Sequence, residues 1–271
     1  MGKEELMRAI SQHKHMNNLD NIREELMTVL TSIGVKKDIL IVVKDQLPYV
    51  KTCIESIKQH TKNYELYIWD NASRQDTKEY LESLGAKCLI RSEENCGFST
   101  PNNRLAAFTE SPYLILLNSD VKVCYGAWDE VMIGWLKTHP DVKQVGCAGS
   151  TLNEEFKGGT VGFGYDIDYI PGWAFCISRE TYNQFGLFDD TNLQFAYCED
   201  ADLSLRLKED GHKIYALYAD LVVHYENKTM TEINQNSEFL KWFSEIFEKN
   251  HSYMRKRWQG KGIVLNECNP K

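Results

Sequence analysis

The chain has 271 residues, a formal net charge of −8, 42% hydrophobic and 26% charged residues. That is enough for one large domain or two halves sharing a sheet, and it excludes collagen-like, low-complexity and wholly disordered chains. The acidic balance argues against a broad nucleic-acid surface, and an anionic diphosphate ligand would need a divalent cation beside it. Eight cysteines form no Cys-x-x-Cys pair and read mostly as buried free thiols of a reducing compartment. The polar start carries no signal-peptide pattern, and the apolar runs are far shorter than a bilayer requires. The expectation is a cytoplasmic protein, with peripheral membrane contact open.

Residues 1–34 read as a helical extension, with Leu6, Ile10, Leu19, Ile22, Leu26, Met27 and Leu30 at roughly helical spacing. Asn21 with Glu24 three residues on resembles a capped start, and Gly34 a stop. The extension would pack on the main domain or pair with a second copy as a homodimer. Residues 38–43 are a continuous apolar run, the pattern of a parallel strand buried on both faces. Pro48 opens a helix to about residue 59, with Val50, Cys53, Ile54 and Ile57 on one face. A strand over 64–69, a helix over 77–84, a short strand over 88–90, a helix over 102–108 and a strand over 113–117 follow. This β-α-β-α-β-α-β order predicts an open sheet covered by helices, with ligands at the carboxyl ends of its strands. Asp45, Asp70, Asn71, Asn95 and Asp120 fall at those ends.

A helix over 128–136 leads into a Gly-rich, irregular half with strand-like pieces over 144–149, 151–157 and 158–170. Helices over 178–185 and 199–209 and strands over 213–218 and 220–224 complete it. Residues 238–248 are amphipathic, with Phe239, Leu240, Trp242, Phe243, Ile246 and Phe247, and a basic tail with Arg255, Lys256, Arg257 and Lys261 begins at about residue 252. That tail reads as a solvated end behind a docked helix, with contact to a membrane or lipid-linked acceptor as the alternative. Gly158, Gly159, Gly162 and Gly164 lack the Lys-Ser/Thr of a phosphate-binding P-loop. His13 and His15 point differently on a helix and have no third ligand at useful spacing.

The segment Leu116-Leu117-Asn118-Ser119-Asp120 leaves an apolar strand and delivers two oxygen-bearing side chains. Mg²⁺ and Mn²⁺ favour oxygen ligands and keep substrate phosphates, so one protein carboxylate suffices when a diphosphate supplies the rest. Alone, the segment is equally a strand end with an Asx turn. Its neighbours add weight. Trp69-Asp70-Asn71-Ala72-Ser73 precedes it, then Asn95-Cys96-Gly97-Phe98-Ser99 with Asn103. After it come Gly172-Trp173-Ala174-Phe175, Phe185-Gly186-Leu187-Phe188-Asp189, Glu199-Asp200-Ala201-Asp202-Leu203-Ser204-Leu205-Arg206 and His224.

In this order, over about residues 38–226, the motifs resemble the inverting glycosyltransferase family 2, in particular its rhamnosyltransferase-like branch. The resemblance implies an α/β GT-A (nucleotide-diphospho-sugar transferase) fold: a Rossmann-like, mostly parallel sheet flanked by helices, with a smaller mixed-sheet acceptor half. The domain would span 35–228, with a nucleotide half at 35–130 and an acceptor half at 131–228. The helical extension (1–34) and a helical C-terminal tail (229–271) would flank it. The resemblance assigns Asp45, Asp70, Asn71, Asn95, Asn103, Asn118 and Asp120 to the donor nucleotide, and Gly172, Trp173 and Asp202 to the sugar and acceptor pocket. It makes Asp120 and His224 ligands of Mn²⁺ or Mg²⁺, with Asn118 reaching the metal through water. Asp200 becomes the general base, and Glu199 positions donor or acceptor.

The donor implied is a nucleotide-diphosphate sugar, UDP first and dTDP or GDP as alternatives. The acceptor implied is a hydroxyl of a glycan or glycoconjugate. Competing classes are a sugar-phosphate nucleotidyltransferase and a catalytically inactive nucleotide-sugar-binding scaffold. The first would need a Gly-rich basic loop where Lys44-Asp45-Gln46-Leu47-Pro48 stands, and the intact Asp120, Asp200 and His224 weigh against the second.

Overall fold

A computed structural model describes residues 18–225, 237–261 and 265–266. The expectations for Leu6, Ile10, His13 and His15, and for residues 226–236, lie outside the described residues. Strands β1 (Lys37–Val43), β2 (Tyr64–Asp70), β3 (Cys88–Arg91) and β4 (Tyr113–Leu117) alternate with helices α2 (Leu47–His60), α3 (Gln75–Glu82) and α4 (Ser99–Ala107), after an N-terminal helix α1 (Leu19–Thr28). The second half holds β5 (Val121–Val123), α5 (Trp128–Thr138), β6 (Val142–Gly146), β7 (Gly149–Leu152), β8 (Gly158–Gly162), β9 (Ala174–Ser178), α6 (Arg179–Phe185), α7 (Glu199–Glu209), β10 (Lys213–Ala216), β11 (Val222–His224) and α8 (Ser237–Trp258).

Among the described residues the main sheet has seven strands in the order β10-β6-β9-β4-β1-β2-β3. β1 pairs in parallel with β2 and β4, while β9 runs antiparallel to both β4 and β6. The chain winds outward from β1 to β3 and then returns to the other side of β1. The crevice where strand order reverses therefore lies between the carboxyl ends of β1 and β4, where Lys44 and Asn118 emerge.

The apolar run of β1 divides between two cores, as a strand buried on both faces must. Ile39, Ile41 and Val43 pack with Val50, Ile54 and Ile57 of α2, Leu81 of α3 and Met132 of α5. Leu40 packs on the opposite face with Leu105 of α4 and Leu203 and Leu207 of α7. A third cluster joins Leu152, Phe156 and Leu193 to Ala201 and Leu205 of α7 and Met254 and Trp258 of α8.

Several boundaries move for physical reasons. α1 starts at Leu19, two residues before the expected cap, and no side chain caps it. Its buried anchor is Glu25, whose carboxylate accepts bonds from Tyr215 Oη (2.9 Å), Tyr218 N (2.8 Å) and Ala219 N (3.1 Å). The amphipathic segment expected over 238–248 continues to Trp258, so the residues expected as a basic tail form its last turns. They stay helical because Met254 and Trp258 are buried against α7. Arg257 is also engaged there, 3.0 Å from Asp189 and 3.3 Å from Asp202. Among the described residues, no helix is long and apolar enough to cross a membrane.

Candidate active site

A cavity of about 640 Å³ opens at the strand-order reversal and runs toward α8. At its first end Asp120 and His224 meet. His224 is 104 residues from Asp120 in sequence, but β11 pairs antiparallel with β5, placing His224 opposite Val121. The Tyr225 amide then donates to Asp120 O (2.9 Å). His224 Nε2 comes within 3.1 Å of Asp120 Oδ1 and 3.5 Å of Asn118 Nδ2. The Trp173 indole stacks on the imidazole, with centroids 5.2 Å apart and planes 6° from parallel. Trp173 O also accepts from Asn118 N (2.8 Å), so one residue orients both sides of the pair.

A carboxylate oxygen and an imidazole nitrogen converging on open space suit a borderline-hard divalent ion such as Mn²⁺. Among the described residues no group of three or more His, Cys, Asp or Glu side chains gathers as a metal cage. A cation held here would draw its remaining ligands from water and substrate oxygens, the mode expected where a diphosphate shares the ion.

Asn71 and Asn95 line the next part of the cavity. Asn71 Nδ2 donates to Asn95 Oδ1 (2.7 Å) and Gly97 O (2.8 Å), while its Oδ1 accepts from Cys96 N (2.7 Å). The amides thus fold the loop before α4 into a rim. Asp45 and Asp70 stand behind this rim and do not line the cavity. Asp70 is paired with Arg91 and accepts from Ser73 N (2.8 Å). Asp45 pairs with Lys44 (2.5 Å) and accepts from Arg74 N (2.6 Å). Lys44 itself reaches the cavity wall. Asn103 is also outside the wall, and its amide clasps Phe188 N (3.0 Å) and O (2.8 Å), tying α4 to the turn after α6.

Glu199 and Asp200 open α7 midway along the cavity, beside Gly172. Asp200 Oδ2 accepts from Gly172 N (2.9 Å) and Oδ1 from Ala201 N (2.8 Å). A Cβ on Gly172 would lie 3.1 Å from the Phe98 ring and 3.6 Å from Asp200 Cβ, so a bare α-carbon keeps this approach open. Burial pushes the Asp200 carboxyl above the usual range, against the lowering effect of those amides. Glu199 is pushed well above it, by burial first and then by the Asp200 charge, and its Oε2 has no hydrogen-bond partner among the described residues. The helix N-terminus offsets part of the cost of two adjacent buried acids.

Asp202 faces away from the cavity. It is fully buried and bound to Arg206 Nε (2.9 Å) and Trp258 Nε1 (3.1 Å), and Arg206 also donates to Phe185 O (2.6 Å) and to Leu187 O. The Glu-Asp-x-Asp-Leu-x-x-Arg box therefore splits by helical geometry. Its first two acids face the cavity, and Asp202 and Arg206, one turn apart, anchor α6 and α8 to α7.

The far end of the cavity is lined by Leu152, Phe156, Lys157, Tyr169, Tyr197, Phe247 and His251. Burial lowers the His251 imidazole below its ordinary value, with Lys157 and Arg255 adding to the effect and the bond to Phe247 O opposing it. Phe247 and His251 were not expected at the site. Their only sequence signal was the amphipathic period of α8, which shows that a face is buried but not against what.

The chain matches the family described as Glycosyl transferase family 2 over residues 38–170. It is similar in structure to the mannosyltransferase PcManGT from Pyrobaculum calidifontis, solved in complex with GDP-Man and Mn²⁺. The TM-score is 0.56 at 13% identity, covering 82% of this chain and 69% of that one. It is also similar to S. aureus TarS 1-349, with a TM-score of 0.53 at 12% identity, covering 69% of this chain and 58% of that one. Comparison with curated protein sequences gave no significant match.

Proposed function

We propose that this chain, which has a GT-A-like glycosyltransferase family 2 fold, transfers a sugar from a nucleotide-diphosphate sugar to a hydroxyl acceptor with inversion. The observation that carries the reading is the single cavity holding the Asp120–His224 pair at one end and the Glu199–Asp200 pair beyond it. The order of the sequence motifs supports the rhamnosyltransferase-like branch. Free thiols such as Cys53, Cys147 and Cys176 support a reducing, cytoplasmic setting.

Lys44, Asn71, Asn95 and Asn118 would hold the nucleotide and its phosphates. Asp45 and Asp70 would brace Lys44 and Asn71 from behind. Asp120 and His224 would hold Mn²⁺ or Mg²⁺, with Asn118 alongside, and the cation when bound supplies positive charge against the departing diphosphate. Asp200 takes the proton of the acceptor hydroxyl as the oxygen bonds to the anomeric carbon. The bond from that carbon to the diphosphate oxygen breaks on the opposite face, and its electron pair leaves with the nucleoside diphosphate. A carboxyl raised by burial is a stronger base than a solvated one once ionised. Glu199, raised further by burial and by the Asp200 charge, lies beside it and, when protonated, can donate to a sugar hydroxyl. Gly172 leaves room for the sugar between Phe98 and Asp200.

The test is a panel of UDP-, dTDP- and GDP-sugars incubated with the purified protein, with and without Mn²⁺, reading release of nucleoside diphosphate. Cation-dependent release from one base class is expected. Consumption of a nucleoside triphosphate with a sugar phosphate instead would mark a nucleotidyltransferase. Neither binding nor turnover with any member would sink the reading.

A further inference from the structure

The loop 194–198 that leads into Glu199 and Asp200 is held in a conformation its residues do not favour. Phe195, Tyr197 and Cys198 all have positive φ (66°, 74° and 76°), the left-handed region that side-chain-bearing residues seldom adopt. Such a run persists only where its surroundings over-determine it. From one side it is gripped by the Asn95–Phe98 turn. Phe98 N donates to Phe195 O (2.5 Å), and a Cβ on Gly97 would collide with the Phe195 backbone.

The other side is Asn250 of α8, fully buried. Its Nδ2 donates to Gln194 O (2.9 Å), Ala196 O (3.1 Å) and Tyr197 O (3.2 Å), and its Oδ1 accepts from Gln194 N (3.2 Å). Two amide hydrogens are thus shared among three carbonyls while the oxygen takes the Gln194 N–H. Among the side chains, Asn and Gln combine both roles in one planar group. The neighbouring rings reinforce the grip: Phe195 packs on Trp242 (4.9 Å) and Tyr197 on Phe247 (5.5 Å). Phe247 and His251, flanking Asn250 in sequence, line the cavity itself.

From this geometry we infer that Asn250 is a positioning residue for the transfer reaction: it latches the loop 194–198 so that Glu199 and Asp200 face the acceptor. This rests on the function proposed above. Asn250 touches neither donor nor cation in that reading, and it acts through the backbone that fixes the start of α7. The C-terminal helix is then part of the reaction apparatus.

The test compares Asn250→Ala with Trp128→Phe, which removes a buried bond to Thr61 Oγ1 (2.8 Å) on the other face of the sheet. The first readout is alkylation of native protein, mapped by mass spectrometry, at Cys198 in the loop and at the fully buried Cys53 beneath Asn118. Asn250→Ala should raise the Cys198 rate about 10-fold or more, as expected for a local opening that leaves the rest folded. Cys53 should stay protected, and Trp128→Phe should change neither. The second readout is kinetic. Asn250→Ala should lower kcat about 10–100-fold, the scale of a misplaced reacting group, with donor KM unchanged. Unaltered Cys198 protection in Asn250→Ala would overturn the latch. Raised labelling with wild-type kcat would overturn its link to transfer. A wild-type protein that transfers no sugar would refute the proposed function and, with it, that link, while the labelling contrast would still decide the latch.

Discussion

The two ends of the cavity are built differently. At the end that holds Asp120 and His224, Lys44, Asn71 and Asn118 each follow directly from a strand of the seven-stranded sheet and Asp120 stands just ahead of β5, so their places are set by strand order and register. At the far end, Tyr197, Phe247 and His251 come from a strained loop and a helix that, among the described residues, no sheet hydrogen bond fixes. Asn250, Asp202, Trp258 and Arg257 do that work instead. A sheet supplies a site through backbone bonding common to many sequences. The far wall depends on particular side chains instead.

The largest effect should come where the two ends meet. Asp200→Asn should lower transfer by about 10²–10⁴-fold, the usual contribution of a general base, with donor affinity unchanged by calorimetry. The wild-type rate should fall on acidification, as Asp200 takes up a proton. Because burial raises that carboxyl, the fall should come at a higher pH than for a solvated aspartate. Surviving turnover in the variant would move the base elsewhere along the cavity.

Next, His224→Ala tests the Asp120–His224 end alone. It removes the imidazole that converges with Asp120 and that Trp173 covers. Turnover should drop about 10²–10³-fold, the scale of losing one electrostatic stabiliser of a leaving group. Added Mn²⁺ should recover part of it. A loss that does not respond to Mn²⁺ concentration would separate His224 from the cation.

The smallest expected effect concerns stability and the turn that delivers His224. Glu25 holds Tyr218 and Ala219 just ahead of β11, and burial pushes its carboxyl up to about 7. A carboxyl raised in the folded state binds its proton more tightly there than in the unfolded chain. Its stabilising contribution is complete below the unfolded value of 4.5 and is lost as pH rises to about 7. Glu25→Gln should therefore gain on the wild type by about 3 kcal/mol between those limits in urea titrations. At low pH it should be the less stable, because an amide cannot accept from all three donors. A pH-independent difference would mean that Glu25 ionises normally despite its burial.

Much of the donor half was legible because its signals are local. A continuous apolar run gave β1, and apolar-rich segments gave β2 and β4, within a residue or two; Asn118 follows β4 directly, and Asp120 comes between it and β5. Local signals did not show which side of the wall a residue takes. Asp45 and Asp70 carry the chemistry of nucleotide contacts, yet Arg74 and Arg91 engage them behind the wall, and Arg91 drew no notice because an arginine at a strand end has no distinctive pattern. Asp202 shares a motif with Asp200 but lies two residues further round a helix, which turns it into the interior. Residues from 252 onward read as a basic tail because charge is visible in sequence, whereas the burial of Met254 and Trp258 against α7 is not.

The sequence by itself determined β1 to β4, their alternation with helices and the residue types at their ends, because hydrophobic period and strand-end chemistry are properties of neighbouring residues; β5 and β9, short and set among turns, were not read from it. Only the tertiary structure decided which of those residues face a common space. It brought His224 to Asp120 by pairing β11 with β5 across 104 residues, set Trp173 against the imidazole, and seated Asn250 under a left-handed loop. Each of these contacts depends on the register of distant segments, which is fixed only when the cores on both sides of the sheet close together.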